Sequence, residues 1–209
     1  MLKHNLQDDL PLILAITGAS GAVYAVRLLE VLLAGGREVH LMISPSGAAV
    51  VKQELSKNVN IEQFDLQSLL PAAAAEKSAG QVRYHHYQDF MAPPASGSFL
   101  TGGMVVCPCS GSTLSGIAHG ASNNLIQRAA DVQLKERRKL ILVPRETPLS
   151  IIQLDNMRKA AEAGAVILPA MPGWYHGVKS VQDLVDFVVA RILDQLGIPH
   201  VLMRRWGDS

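Results

Sequence analysis

Residues 104–146 read MVVCPCSGSTLSGIAHGASNNLIQRAADVQLKERRKLILVPRE, and this stretch decides how the chain folds. It opens with a short apolar run, Met104 to Cys107, bounded as a buried strand is. Pro108 is expected to turn the chain, and Ser110, Gly111, Ser112 and Thr113 follow. That cluster suits a tight loop opening a helix, where unpaired backbone N–H groups and hydroxyls hold an anion. A helical stretch then spans about Asn123 to Arg138. Arg128 and Lys135 lie seven residues apart on it, about two turns, so both point to one side. A second apolar run, Leu140 to Val143, ends in Pro144-Arg145-Glu146. Residues just past the carboxyl end of a parallel strand sit where ligands bind. Two strand ends and one basic helix face are therefore expected to converge on a phosphate-bearing ligand.

Working outward, strands and helices alternate along the whole chain, which implies an α/β fold with a doubly wound, Rossmann-like parallel sheet. Leu12 to Ile16 reads as the first strand, followed by Thr17-Gly18-Ala19-Ser20-Gly21 and a helix to about Ala34. A Gly-rich turn between strand and helix is a place for phosphate, yet the glycine spacing departs from the dinucleotide fingerprint. Glu38 to Ile43 reads as the second strand. It ends in Ser44, where NAD-binding folds place an acidic residue on a ribose hydroxyl. That substitution favours a mononucleotide such as FMN over NAD. Pro45 starts a helix to about Leu55 that carries Glu54, by itself an ordinary solvated carboxylate. Residues 56–80 suggest one more helix with loops, and Gln81 to Tyr87 a strand. Adjacent His85 and His86 point opposite ways on a strand and make a poor metal pair. Pro93-Pro94 excludes a helix before Met104. Past a further strand, Ala165 to Ala170, come Pro172 to His176 on the ligand side, and Val181 to Leu196 is an amphipathic helix carrying Arg191.

Composition narrows the class. The 209 residues suit one domain, with a short extension at 1–10 and a tail at 198–209. A hydrophobic share of 48% opposes disorder, and a net charge of +1 opposes a nucleic-acid footprint. Cys107 and Cys109 are two apart, too few for a disulfide framework or a metal site, and read as packing residues. No signal core and no membrane-length apolar run are visible, so a reducing, cytoplasmic setting is expected.

Four motifs together are specific: TGASG at 17–21, CPCSGSTLSGIAHG at 107–120, NNLIQRAADVQLKERR at 123–138 and LVPRETP at 142–148. They resemble the UbiX flavin prenyltransferases, and the likeness continues through PGWYH at 172–176 and DLVDFVVARILDQLGI at 183–198. The resemblance implies FMN held by Gly18, Ala19, Ser20, Ser44, Ser110, Gly111, Ser112, Thr113 and Arg145, with Arg128 near the pair of ligands. It implies dimethylallyl monophosphate held by Lys135, Arg145, Tyr175 and Arg191. Ser20, Glu54, Lys135 and Glu146 become the catalytic candidates, and no metal is expected. It further implies a homo-oligomer, commonly a dodecamer with sites shared between subunits, whose product passes to a UbiD-type decarboxylase.

These implications suit the residues. Prenyl transfer from a monophosphate needs the departing phosphate stabilised, and cations with a phenol supply that charge complement. No aspartate-rich diphosphate motif appears. The flavin N5 would attack the allyl C1. Bonding of flavin C6 to the prenyl C3 then needs a base for the C6 proton, either Glu146 or the retained phosphate. Three rival readings fit the residues less well. A phosphopantothenoylcysteine-type decarboxylase needs a His soon after the first helix and a late Cys, yet no His lies between residues 5 and 39 and no Cys follows Cys109. A non-catalytic FMN carrier leaves Lys135 and Arg191 without a task. A direct aromatic-acid decarboxylase needs carboxylate chemistry that these residues do not provide.

Overall fold

The computed structural model describes residues 10–70, 81–175, 177–205 and 207. The short apolar runs at the centre, such as LILAI at 12–16 and LILVP at 140–144, cannot leave a face to water, so they assemble as a parallel sheet covered on both sides, with the polar run VRYHH at 82–86 taking an edge. The strands are β1 (Leu12–Ile16), β2 (Val39–Ile43), β3 (Val82–His86), β4 (Gly103–Cys109), β5 (Leu140–Pro144) and β6 (Val166–Ile167). Their order is β3-β2-β1-β4-β5-β6 and every pairing is parallel. Strand addition reverses direction between β1 and β4, which opens a crevice at their carboxyl ends.

Alternate strand residues feed two cores, as the period of two demands. Leu12, Leu14, Ile16, Val105 and Cys107 face one way, onto helices α1 (Ala22–Ala34), α2 (Pro45–Leu55) and α6 (Val181–Leu196). Ile13, Ala15, Met104, Val106 and Cys109 face the other way, onto α3 (Gly111–Ala118), α4 (Leu125–Lys135) and α5 (Ile151–Glu162). The expected doubly wound α/β sheet is thus the observed one. Burial pushes the Cys109 thiol up to about 12, and Cys107 higher still, so both behave as apolar packing groups. Among the described residues no helix is long and apolar enough to cross a membrane.

Four expectations need correction. The strand expected at Ala165 to Ala170 is only the two half-buried residues Val166–Ile167. Pro108 does not turn the chain: β4 runs through it to Cys109, with the pairing to β5 shifting register on the way. Residues 56–70 hold no α-helix, only a 3-10 turn at Leu66–Ser68. There Asn60 accepts from the N–H groups of Glu62 and Gln63, and Asp65 from Gln67, so side chains satisfy backbone donors that a helix would have used. The rest of that expected helix, residues 71–80, lies outside the described residues. Finally, the stretch at 123–138 stops at Lys135, because Arg137 turns left-handed (φ 54°) and Arg138 N–H bonds back to the Gln133 carbonyl.

One polar feature is built into the edge of the sheet. His40, buried on β2, places Nε2 3.2 Å from Glu38 Oε1 and Nδ1 2.8 Å from His85 Nε2 on β3. Glu38 can only accept, so His40 donates to it through Nε2 and accepts from His85 through Nδ1. Phe99 packs on the His40 ring at 4.8 Å. His86 points away and packs against Tyr87 instead. Burial, and then the neighbouring His40, hold the His85 imidazole down at about 4.

Between the ordinary value of 6.5 and about 4, the unfolded chain therefore binds a proton at His85 that the native state refuses. Stability is expected to fall as pH drops through that window. The proton linkage of about 1.4 kcal/mol per pH unit, discounted for partial exposure, makes the loss on the order of 2 kcal/mol. Thermal melts from pH 7.5 to 4.5 check this, and His85→Asn should flatten the slope.

Candidate active site

The crevice is assembled by a tie between the ends of β1 and β4. Thr17, 1% exposed, donates its hydroxyl to the Pro108 carbonyl at 2.7 Å and accepts from Ser110 N–H at 2.8 Å. Its own N–H also bonds to Pro108 O. Ser110 is thereby fixed as the N-cap of α3, with its hydroxyl accepting from Thr113 N–H at 3.3 Å and donating to Thr113 Oγ1 at 3.0 Å. Ser112 Oγ lies 3.2 Å from Ser110 Oγ. The N–H groups of Gly111 and Ser112 head the helix without an intrahelical partner, as at any helix start. Ser110, Gly111, Ser112 and Thr113 thus form one rim of N–H and hydroxyl donors.

A second helix start lies across the crevice. Ser44 caps α2 by accepting from Gly47 N–H at 3.0 Å, and Ser46 Oγ is 3.2 Å from its hydroxyl. Gly18 is needed for packing here: a Cβ on it would lie 2.5 Å from Ser46 Cβ. Gly47 is pressed equally close, since a Cβ there would meet the Ile16 carbonyl at 2.5 Å.

The third helix start, that of α1, is filled. Glu54 reaches over from the last turn of α2 and accepts from Gly21 N–H at 2.9 Å and Ala22 N–H at 2.9 Å. Gly21 takes φ 111°, a conformation open to glycine, and so aims both donors at one carboxylate. Burial alone would raise the Glu54 pKa. The Ser20 hydroxyl, the two backbone donors and the Arg145 charge outweigh it and hold the carboxyl below its ordinary value. The sequence suggested a bare phosphate seat at this turn. The structure puts an internal carboxylate in it.

Arg145 and Glu146 follow β5 directly. Arg145 is close enough to Glu54 to stabilise its charge, yet its buried Nε has no hydrogen-bond partner in the protein. Such an orphaned donor is open to an acceptor from outside the chain, a ligand's or a water's. Glu146 accepts from Thr147 N–H at 3.3 Å and from the Gln153 amide at 3.2 Å. Gln153 also completes the capping box of α5 with Ser150. With Thr147, Leu149 and Met171 among others, Arg145 and Glu146 line a cavity of about 50 Å³. Tyr175, 55% exposed, projects past β6 with its ring edge-on to Phe187 at 5.8 Å.

The expected convergence of the α4 basic face on this crevice does not occur within one chain. Helices that connect parallel strands run opposite to them, so α4 carries its residues away from the carboxyl ends. Lys135, seven residues beyond Arg128, is displaced by about 10 Å along the axis. It pairs with Glu136, and Arg128 donates to the Ala95 carbonyl and Asp131. Arg191, well along α6, bonds Asp194. The chain therefore brings together Gly18, Ala19, Ser20, Ser44, Glu54, Ser110 to Thr113, Arg145 and Glu146, with Tyr175 at the rim. Lys135, at the end of α4, and Arg191, well along α6, are directed to partners of their own, while Arg128 sits in the first turn of α4 with its guanidinium on Ala95 and Asp131. His119 is spent on the Ser115 carbonyl and Lys159, and His176 lies outside the described residues. Two contributors were not singled out as site residues from sequence, Thr17 and Gln153. Thr17 had a signal in its place between strand end and glycine; Gln153 had none beyond a capping pattern. Among the described residues no group of His, Cys, Asp and Glu is placed to hold a metal ion.

Comparison with known proteins agrees with this geometry. The model of the flavoprotein family matches residues 3–193. The flavin prenyltransferase UbiX of Pseudomonas aeruginosa is 54% identical over 196 residues, covering 94% of this chain and 93% of that one. The crystal structure of AnUbiX (PadA1) in complex with FMN and dimethylallyl pyrophosphate superposes with a TM-score of 0.82 at 39% identity, covering 95% and 98% of the two chains. A dodecameric FMN-dependent UbiX-like decarboxylase from Escherichia coli O157:H7 superposes at 0.80 with 41% identity, covering 95% and 100%. The chain belongs to the flavoprotein family and, within it, to the UbiX flavin prenyltransferases.

Removing the Thr17 hydroxyl should loosen the site at its root. Thr17→Val leaves the Ser110 N–H without its acceptor and takes from the Pro108 carbonyl one of its two donors, the backbone N–H of residue 17 remaining, a cost of about 1–3 kcal/mol. Denaturant unfolding should show that loss at an unchanged m value.

Proposed function

We propose that the protein transfers a dimethylallyl group from dimethylallyl monophosphate to reduced FMN, as a flavin prenyltransferase. The observation that carries this reading is Arg145: a half-buried side chain whose buried Nε has no partner in the protein, set beside a carboxylate that already fills the nearest helix start. A ligand acceptor suits that Nε, and the remaining anion seats are the starts of α2 and α3. Ser44, the Gly18-Ala19-Ser20 turn, the Ser110 to Thr113 rim and Arg145 would hold FMN. When bound and reduced, FMN supplies a nucleophilic N5 and then a carbon nucleophile at C6. The residues must hold both reactants in register, stabilise the departing phosphate and move protons.

Ser20 is bonded to Glu54, and its hydroxyl would bridge the two ligands. Glu146 stands at the end of β5 with its carboxylate steered by Gln153, placed to take the C6 proton in competition with the released phosphate. Glu54, kept ionised, balances Arg145 while no ligand charge is present. Charge stabilisation of the phosphate falls to Arg145 with Tyr175, Lys135 and Arg191.

Because Lys135 and Arg191 lie away from Arg145 in one chain, we infer that neighbouring copies bring them to the crevice in a homo-oligomer. Ile151, Ile152, Met171 and Trp174, each at least 65% exposed near the crevice rim, give such copies an apolar surface to cover. A dodecamer is the assembly that fits the family, and a UbiD-type decarboxylase is the expected recipient of the product.

Anaerobic incubation of the purified protein with reduced FMN and dimethylallyl monophosphate should yield a flavin heavier by one C5H8 unit. Mass spectrometry finding only unmodified FMN would overturn the reading. Glu146→Gln should slow turnover by about 10²–10⁴-fold, the usual worth of a positioned base, while flavin still co-purifies. A colourless Glu146→Gln protein would assign that carboxylate to flavin binding instead.

A further inference from the structure

Asp194 gathers three cationic or donor groups on one carboxylate. It accepts from Arg191 Nη1 at 2.7 Å, from Arg205 Nη2 at 2.8 Å and from His200 Nε2 at 3.1 Å. The geometry is sequence-built. Gly197 ends α6 at φ 74°, and Ile198 N–H bonds back to the Leu193 carbonyl, so the chain folds over the helix it has just left. Leu202 and Met203 pack on the core, which returns His200 and Arg205 to Asp194. The His200 side chain is only 2% exposed. Its Nδ1 accepts from Leu202 N–H at 3.4 Å, so the Nε2 proton is the one directed at Asp194.

An exposed Arg–Asp pair three residues apart on a helix contributes little and holds neither side chain still. Here one partner is already immobile. Asp194 is 15% exposed and braced from below by a buried imidazole, while Arg191 remains 44% exposed. One bond from Nη1 leaves most of the five guanidinium donors directed outward. Bidentate recognition of phosphate depends on the orientation of that planar fork. Two guanidinium groups against one carboxylate also leave the cluster net positive, as a phosphate site requires.

We propose that Asp194, braced by His200 and the returning C-terminal segment, is the positioning residue that aims Arg191 at the phosphate of the prenyl donor. The proposal rests on the prenyl-transfer reading above and adds to it a residue and a role for the tail. Asp194 touches neither substrate; it acts through Arg191.

The test is steady-state kinetics of intact protein with reduced FMN and dimethylallyl monophosphate. Asp194→Asn should raise KM for the prenyl donor about tenfold, the loss of one well-aimed charge-assisted contact, with kcat and FMN retention little changed. In an Arg191→Ala background, Asp194→Asn should add almost nothing, because its effect passes through the missing guanidinium. An unchanged KM, or an effect that persists undiminished without Arg191, overturns the proposal. Should Asp194→Asn fail to fold, Asp194→Glu serves: its carboxylate, one methylene longer, re-aims the fork and should raise KM a few-fold at an unchanged melting temperature, and an unchanged KM again overturns it. Wild-type protein that forms no adduct at all would instead remove the prenyl-transfer reading, and this proposal with it.

Discussion

The carboxylate of Glu54 rests on the first backbone donors of α1, and much else in the crevice is arranged around that contact. A helix start concentrates partial positive charge and unpaired N–H groups, and in most nucleotide-binding α/β folds the first one receives a phosphate. In this protein the chain fills it from within. Incoming anions are left the starts of α2 and α3 and the guanidinium of Arg145. The same contact fixes Ser20, holds Glu54 ionised and sets a negative charge beside Arg145. Gly21, Gly18 and Gly47 are the backbone conditions for it, one by its left-handed turn and two by the close approach of α2 to the end of β1.

The sheet was largely legible in the sequence because fully buried strands leave a plain record: short apolar runs, glycine or proline at their ends, helical spacing between. The helix from Pro45 to about Leu55 was legible because proline opens it, and the structure adds Ser44 as its cap. The failures have equally local causes. The polar segment from 56 to 70 lacks a period, and Asn60 and Asp65 captured donors that composition alone assigned to a helix. Within the site, Ser110 to Thr113 and Arg145-Glu146 were visible from their place after strands. Glu54 on its own looked like a solvated carboxylate, since nothing in sequence shows that the end of α2 bends over the start of α1.

The basic face of α4 was misplaced for a more general reason. Periodicity reports which side of a helix a residue occupies, but not which end of the sheet it reaches. Arg128 and Lys135 do share a face, and the helix then carries Lys135 down toward the amino ends of the strands. The homo-oligomer proposed above would supply such cations from neighbouring copies. The exposed Trp174, Ile151 and Ile152 beside the crevice are what such an arrangement would cover.

Gln153 ties the start of α5 to Glu146 through one amide group: its carbonyl accepts from Ser150 N–H while its amino group donates to the Glu146 carboxylate. The bifunctional amide narrows what evolution can place there. Glutamate would cap the helix equally well, but would set two carboxylates face to face and drive up the proton affinity of Glu146. Leucine or lysine would free the carboxylate to swing away from the crevice. A requirement of helix capping is thus, on the role proposed for Glu146, also a constraint on acid–base chemistry, and drift at this surface position is bounded by both.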